Sequence, residues 1–138
     1  MRTFVLKQSV YDIASGLQFT DGRVVVVHRS GRMDTFLDMD QVTRDYTGTA
    51  SVLWDRPGRA HEGMPRLLVF RRFVDSTGFS GTGVAMEGAL FADGRVVLTW
   101  LGPYRSMVMW PNLDQCVTVC GHGGDTVLAW LDEEQAAA

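Results

Sequence analysis

Cysteine, lysine and histidine are scarce in this chain, which has two Cys, one Lys at Lys7 and three His among 138 residues. The two cysteines, Cys116 and Cys120, fall in one short segment of helical pattern. That spacing places both on one helix face and suits a disulfide poorly, so reduced core thiols are expected. The segment Cys116, Cys120, Gly121, His122 with Asp125 brings thiol, imidazole and carboxylate close together, but the rest of the chain offers only His28 and His61 as further imidazoles. A zinc cluster wants a second ligand pair, so the expectation is no metal, with buried thiols followed by a glycine-rich turn. No apolar run approaches the roughly 18 residues that span a bilayer. The start, MRTFVLKQSV, alternates polar and apolar where a signal peptide is continuously apolar. A soluble, cytoplasmic protein with no membrane partner is expected.

An excess of positive charge is also missing. Thirteen Lys+Arg stand against 16 Asp+Glu, a net charge of -3. Residues 1–66 carry nine basic and eight acidic residues, and 67–138 carry four and eight. The long-range field on which a sequence-blind nucleic-acid binder relies is therefore absent, and nucleic acid is disfavoured as a partner. The 46% hydrophobic, 10% aromatic and 21% charged content is that of an ordinary globular protein.

What the chain does hold is a repeat. GLQFTDGRVVVVH at 16–28 and GALFADGRVVLTW at 88–100 align without a gap and are identical at seven positions. Phe4-Val5-Leu6-Lys7 matches Leu68-Val69-Phe70-Arg71 upstream, Asp40-Gln41 matches Asp114-Gln115 downstream, and the segment ending at Trp54 matches that ending at Trp130. A colinear series of this kind points to a tandem duplication. The organisation read from it is a first unit at 1–55, a linker at 56–66 with two Pro and two Gly, a second unit at 67–135 and a tail at 136–138.

Alternation predicts strands at 3–9, 17–20, 23–29, 33–37 and 50–54, and at 67–74, 84–91, 95–101, 106–110 and 126–131. The repeated Asp-Gly between apolar runs reads as a type I′ hairpin turn. Asp38 and Asn112 are placed to cap short helices opening at 38–42 and 112–116. The order β-β-β-β-α-β predicts the α+β class, as two tandem copies of a small antiparallel sheet with a short helix. A unit of about 60 residues is marginal alone, so the copies are expected to pack as a pseudo-two-fold pair.

The second copy contains LVFRRFVDSTGFSGTGVAMEGALFADGRVVLTW and, further on, VCGHGGDTVLAWLDEE. From residue 68 to 132 it resembles a set of small uncharacterised proteins of actinobacteria and their phages, with the pattern SGTGVxxEGxxFxDGxVxLxW followed by HGHxGxTxVxWLD. It departs from that pattern at Cys120, where a His is usual, and at Met107, where a small hydroxyl residue is usual. The resemblance implies a phage or prophage setting in an actinobacterial host, and supplies no mechanism. The Arg-rich, Lys-poor basic set fits a GC-rich genome.

Three further features are candidates for chemistry. Ser80-Gly81-Thr82-Gly83 and Gly121–Gly124 have the composition of anion nests, yet neither has the Lys and helix of a P-loop, and both read as turns. Arg23 and Arg95 of the two Asp-Gly-Arg turns, with Arg71, Arg72 and Arg105, are the candidate contacts to an anion or nucleic acid. Trp100, Tyr104, Met107, Met109 and Trp110, with Phe79, form the richest aromatic and methionine set, the kind of surface that adapts to a protein partner or a second copy. No nucleophile elbow or paired carboxylates in apolar context are visible. The leading expectation is a non-enzymatic phage-type accessory protein, without cofactor, that binds a host or phage protein or itself. The alternatives are a nucleic-acid or nucleotide binder, a small virion structural protein, and a small enzyme using His122 and Asp125.

Overall fold

A computed structural model of the chain describes residues 1–56, 62–72 and 83–137. Residues 57–61 of the linker, the segment 73–82 around Phe79 including Ser80 to Thr82, the side chain of His122 and the final residue lie outside the described residues. By internal contacts the chain divides into two units, 1–65 with 91–93, and 66–90 with 94–138.

The first unit is a five-stranded antiparallel sheet built from β1 (Arg2–Gln8), β2 (Tyr11–Gln18), β3 (Val24–His28), β4 (Met33–Phe36) and β5 (Ser51–Trp54), in the order β4-β3-β2-β1-β5. Helix α1 (Met39–Tyr46) connects β4 to β5. The second unit repeats this with β6 (Arg66–Arg72), β7 (Gly83–Leu90), β8 (Val96–Trp100), β9 (Met107–Trp110) and β10 (Thr126–Trp130), in the order β10-β6-β7-β8-β9. Here α2 (Leu113–Cys120) connects β9 to β10, and α3 (Leu131–Ala137) follows. The architecture is α+β, as expected.

The periodicity of the strands accounts for the core. Phe4, Leu6, Val24 and Val26 alternate onto one sheet face and close a cluster with Val42 of α1. Leu68, Phe70, Met86, Val96 and Leu98 do the same with Cys116 and Cys120 of α2. The opposite faces are apolar too, with Val5, Leu17, Val25, Ala89 and Val97 all buried. Both helices start on the expected caps: Asp38 accepts a hydrogen bond from the Gln41 amide at 3.0 Å and Asn112 from the Gln115 amide at 2.8 Å. Each first hairpin also slips register at the same place, between Leu6 and Lys7 in one unit and between Phe70 and Arg71 in the other.

Three local expectations need correction. The first Asp-Gly turn is not type I′, which requires positive φ at both central residues. Only Gly22 has it (φ 95°), the Gly22 amide donates to the Phe19 carbonyl, and the Phe19 amide donates to the Arg23 carbonyl. That is a three-residue loop closed by a left-handed glycine, and Gly94 (φ 94°) holds the matching position in the second unit. Strand β2 begins at Tyr11, well before residue 17, because Gly16 breaks the visible alternation while making room for the Phe4 ring. Finally, Leu131–Ala137 is helical, where a strand end and a tail were read.

Candidate functional site

Strand β9 ends the second sheet among the described residues, and its sequence MVMW has no charged residue to discourage pairing with another chain. Alternation splits it. Val108 and Trp110 pair with Leu98 and Val96 on the α2 side, whereas Met107 and Met109 pair with Thr99 and Val97 on the other. Trp110 and Trp100 are half-buried and pack on the core cluster beneath α2. Tyr104, in the connection from β8 to β9, is 77% exposed, and Met109 is 47% exposed. Of the aromatic and methionine set, these two present side chains to solvent, Met107 is half-buried, and Phe79 lies outside the described residues.

Below this edge sits the thiol pair. Cys116 and Cys120 are free and buried, and the Cys116 thiol donates to Cys120. That bond, with burial, pushes Cys116 far above the ordinary thiol range, and the same bond holds Cys120 below it. The buried indole N–H of Trp110 makes no regular hydrogen bond and finds only the Cys120 sulfur, a weak acceptor. In the glycine-rich turn that follows, the Gly121 amide donates to Val117 and the Gly124 amide to Gly121, so two of the amides an anion nest needs are already engaged.

The candidate arginines do not form one free basic group. Arg23 is held by Asp21 (2.8 Å). Arg71 makes a two-bond fork to Glu134 of α3 at 2.6 and 3.0 Å, and this hydrogen bonding raises its pKa. Arg72 is buried at 2% exposure, 3.4 Å from the Thr126 hydroxyl and 5.9 Å from the Trp100 ring. Arg105 is exposed and donates to the Gly102 carbonyl, and Arg95 is half-buried just before β8.

A polar cluster in the first unit was not foreseen from the sequence. His28 at the end of β3, Arg32 in the following turn, Asp34 on β4 and Tyr46 at the end of α1 converge on one ring nitrogen. The separations from His28 Nε2 are 2.7 Å to Tyr46 Oη, 2.9 Å to Arg32 Nη2 and 3.1 Å to Asp34 Oδ2. Burial raises the Tyr46 phenol above its usual pKa, and the bond from Arg32 pulls the other way. The signal available in the sequence was the alternation of β4, which puts Asp34 on the helix side of the sheet. In the second unit the equivalent places hold Trp100, Val108 and Cys120, so the polar cluster of the first copy is replaced there by apolar side chains and a thiol.

Among the described residues no group of three or more His, Cys, Asp or Glu is arranged to hold a metal ion, and no helix is long and apolar enough to cross a membrane. No curated protein and no solved structure matches the chain. Residues 65–132, the stretch from the start of β6 to the first residues of α3, match the family model described as Acb5 phage protein, so the second unit is similar to a family of phage proteins.

Proposed function

We propose that the chain is a phage accessory protein of an actinobacterial host, acting in the host cytoplasm by binding a host or phage protein rather than by catalysis. The carrying observation is the edge of the second sheet, where an uncharged strand, β9, lies beside the exposed side chains of Tyr104 and Met109. An unblunted edge supplies main-chain hydrogen bonds, and an aromatic and a methionine supply apolar anchors, which together are the parts of a strand-addition interface. The same-order sheets, the shared register slip and the paired Asx caps support a tandem duplication in which the second copy carries this surface. Carboxylate partners on Arg23, Arg32, Arg66 and Arg71 weigh against a nucleic-acid reading. The test is affinity purification of the tagged chain from a nuclease-treated actinobacterial lysate. The proposal expects one stoichiometric protein, lost when Tyr104 and Met109 are replaced by alanine. Recovery that depends on intact nucleic acid contradicts it.

A further inference from the structure

We propose that the β9 edge is taken by a second copy of this chain, with β9 pairing antiparallel to β9 about a two-fold axis at Val108 and joining two second-unit sheets edge to edge. The proposal rests on the reading of that edge as a binding surface and names the chain itself as its occupant. A host or phage protein captured there displaces the second copy.

The phase of the backbone hydrogen bonds sets the geometry. The Trp100 amide donates to the Ser106 carbonyl at 3.1 Å, and the same register continues through Leu98 with Val108 and Val96 with Trp110. Bonding alternates along an antiparallel pair, so Ser106, Val108 and Trp110 direct their N–H and C=O groups to β8, while Met107 and Met109 direct theirs out of the sheet. A copy of the strand keeps its two faces in step only when paired residues lie on the same face. With the axis at Val108, Met107 pairs with the partner's Met109, and Met109 with the partner's Met107. Each pair exchanges main-chain bonds in both directions, and Val108 meets the partner's Val108 on the α2 side. An axis at Met109 instead matches Met107 with Pro111, which lies past the strand end and has no N–H.

Charge fits the same arrangement. Strand β9 is uncharged, the exposed Arg105 precedes it, and the exposed Asp114 follows it in the first turn of α2. Antiparallel pairing sets the start of each strand beside the end of the other, so Arg105 of one copy comes alongside the end that carries the partner's Asp114. The attraction occurs twice, as a self-complementary two-fold interface requires.

The first unit shows the edge that this pairing cannot use. Strand β4 has the same place and phase: the His28 amide donates to the Arg32 carbonyl at 2.8 Å, and Val26 pairs with Asp34. Met33 and Thr35 therefore point outward, and the axis position is held by Asp34. A copied β4 sets carboxylate against carboxylate there, and the Arg32–Asp34 ion pair at 3.0 Å lies along the edge. Inward-pointing charge of this kind blunts an edge strand, and in β9 it is replaced by Val108.

The test is sedimentation equilibrium of the purified, untagged full chain, with amide hydrogen exchange read at the same concentrations. The chain is expected to approach twice its monomer mass as concentration rises. Exchange at Met107 and Met109 should slow with that rise, while Met33 and Thr35 keep the rates of an open edge. Met109→Pro removes an N–H that β8 does not use, and Val108→Asp copies Asp34; each is expected to remain a monomer at every concentration. Exchange in the parent chain reads the site without any substitution, so the test does not depend on either variant folding. A parent chain that stays monomeric, a doubled mass without slowing at Met107 and Met109, or a folded Met109→Pro that still doubles overturns the pairing. The chain is alone in these measurements, so their outcome is separate from that of capture from a lysate.

Discussion

The Arg66 guanidinium carbon lies 3.9 Å from the centroid of the Trp130 ring, and in the first unit Arg2 covers Trp54 at the same 3.9 Å. The second copy adds to this stack. Arg66 also makes a two-bond fork to Asp132 at 2.8 and 2.9 Å and a third bond to Glu133 at 3.0 Å, both on α3. With the Arg71–Glu134 fork, these contacts tie α3 to β6.

Arg66→Ala is therefore expected to loosen α3 while leaving the sheet intact. Hydrogen exchange should quicken in 131–137 and stay slow in β6 to β8. Because the pair is solvent-exposed, the global loss of stability is expected at about 1 kcal/mol or less. Acid should produce the same effect. The Arg66 hydrogen bonds hold Asp132 below the usual carboxylate range. A depressed folded pKa contributes stability above the ordinary carboxylate pKa, and that contribution disappears as pH falls through the folded value. Exchange in α3 that is unchanged at low pH contradicts this account.

Tyr46 makes the alkaline prediction. Its phenol is raised chiefly by burial, so the folded state favours the neutral form. The resulting stability is fully present below the unfolded tyrosine pKa of about 10 and is lost as pH rises through the higher folded value. Denaturant melts between pH 9 and 12 should fall more steeply for the parent chain than for Tyr46→Phe. Parallel curves contradict it.

Gly88 and Gly22 should respond differently to alanine. A Cβ on Gly88 overlaps the carbonyl oxygen of Val97 and crowds the Leu98 Cα at 2.9 Å, backbone atoms of a central strand that cannot yield. Gly22 has open space but a φ of 95°. Gly88→Ala is expected to cost about 2–4 kcal/mol, as overpacked core positions do, and Gly22→Ala about 1–2 kcal/mol for the left-handed backbone alone. Chemical denaturation of both variants checks the order.

The thiols should differ in reactivity despite sharing a helix face. The thiolate is the nucleophile, and the Cys116 hydrogen bond lowers Cys120 at the expense of Cys116. Slow alkylation of the native protein, read by peptide mass spectrometry, should label Cys120 first. Equal labelling, or Cys116 first, contradicts the direction of that bond.

Much of the fold was legible because its signals are local. The alternation of β1, β3, β6 and β8, the Asx caps at Asp38 and Asn112, and the repeated Asp-Gly all act within a few residues. Strand β2 was read short because Gly16 has a packing role that becomes visible only when Phe4 is placed across from it. Helix α3 was missed because its docking depends on Arg66 and Arg71, more than 60 residues upstream. The His28 cluster was hidden for a similar reason: its members come from a strand end, a turn, the next strand and a helix end, 18 residues apart at most, with no motif to join them. The aromatic and methionine set was visible, but its division into core tryptophans and outward Tyr104 and Met109 rests on the pairing of β9 with β8.

The most direct measurement is the affinity of the captured partner for the parent chain and for the Tyr104→Ala/Met109→Ala variant, each verified as folded. The account predicts binding weakened by about tenfold or more, in line with loss of interface anchors. Equal affinity of the two proteins contradicts the placement of the binding surface on the β9 edge.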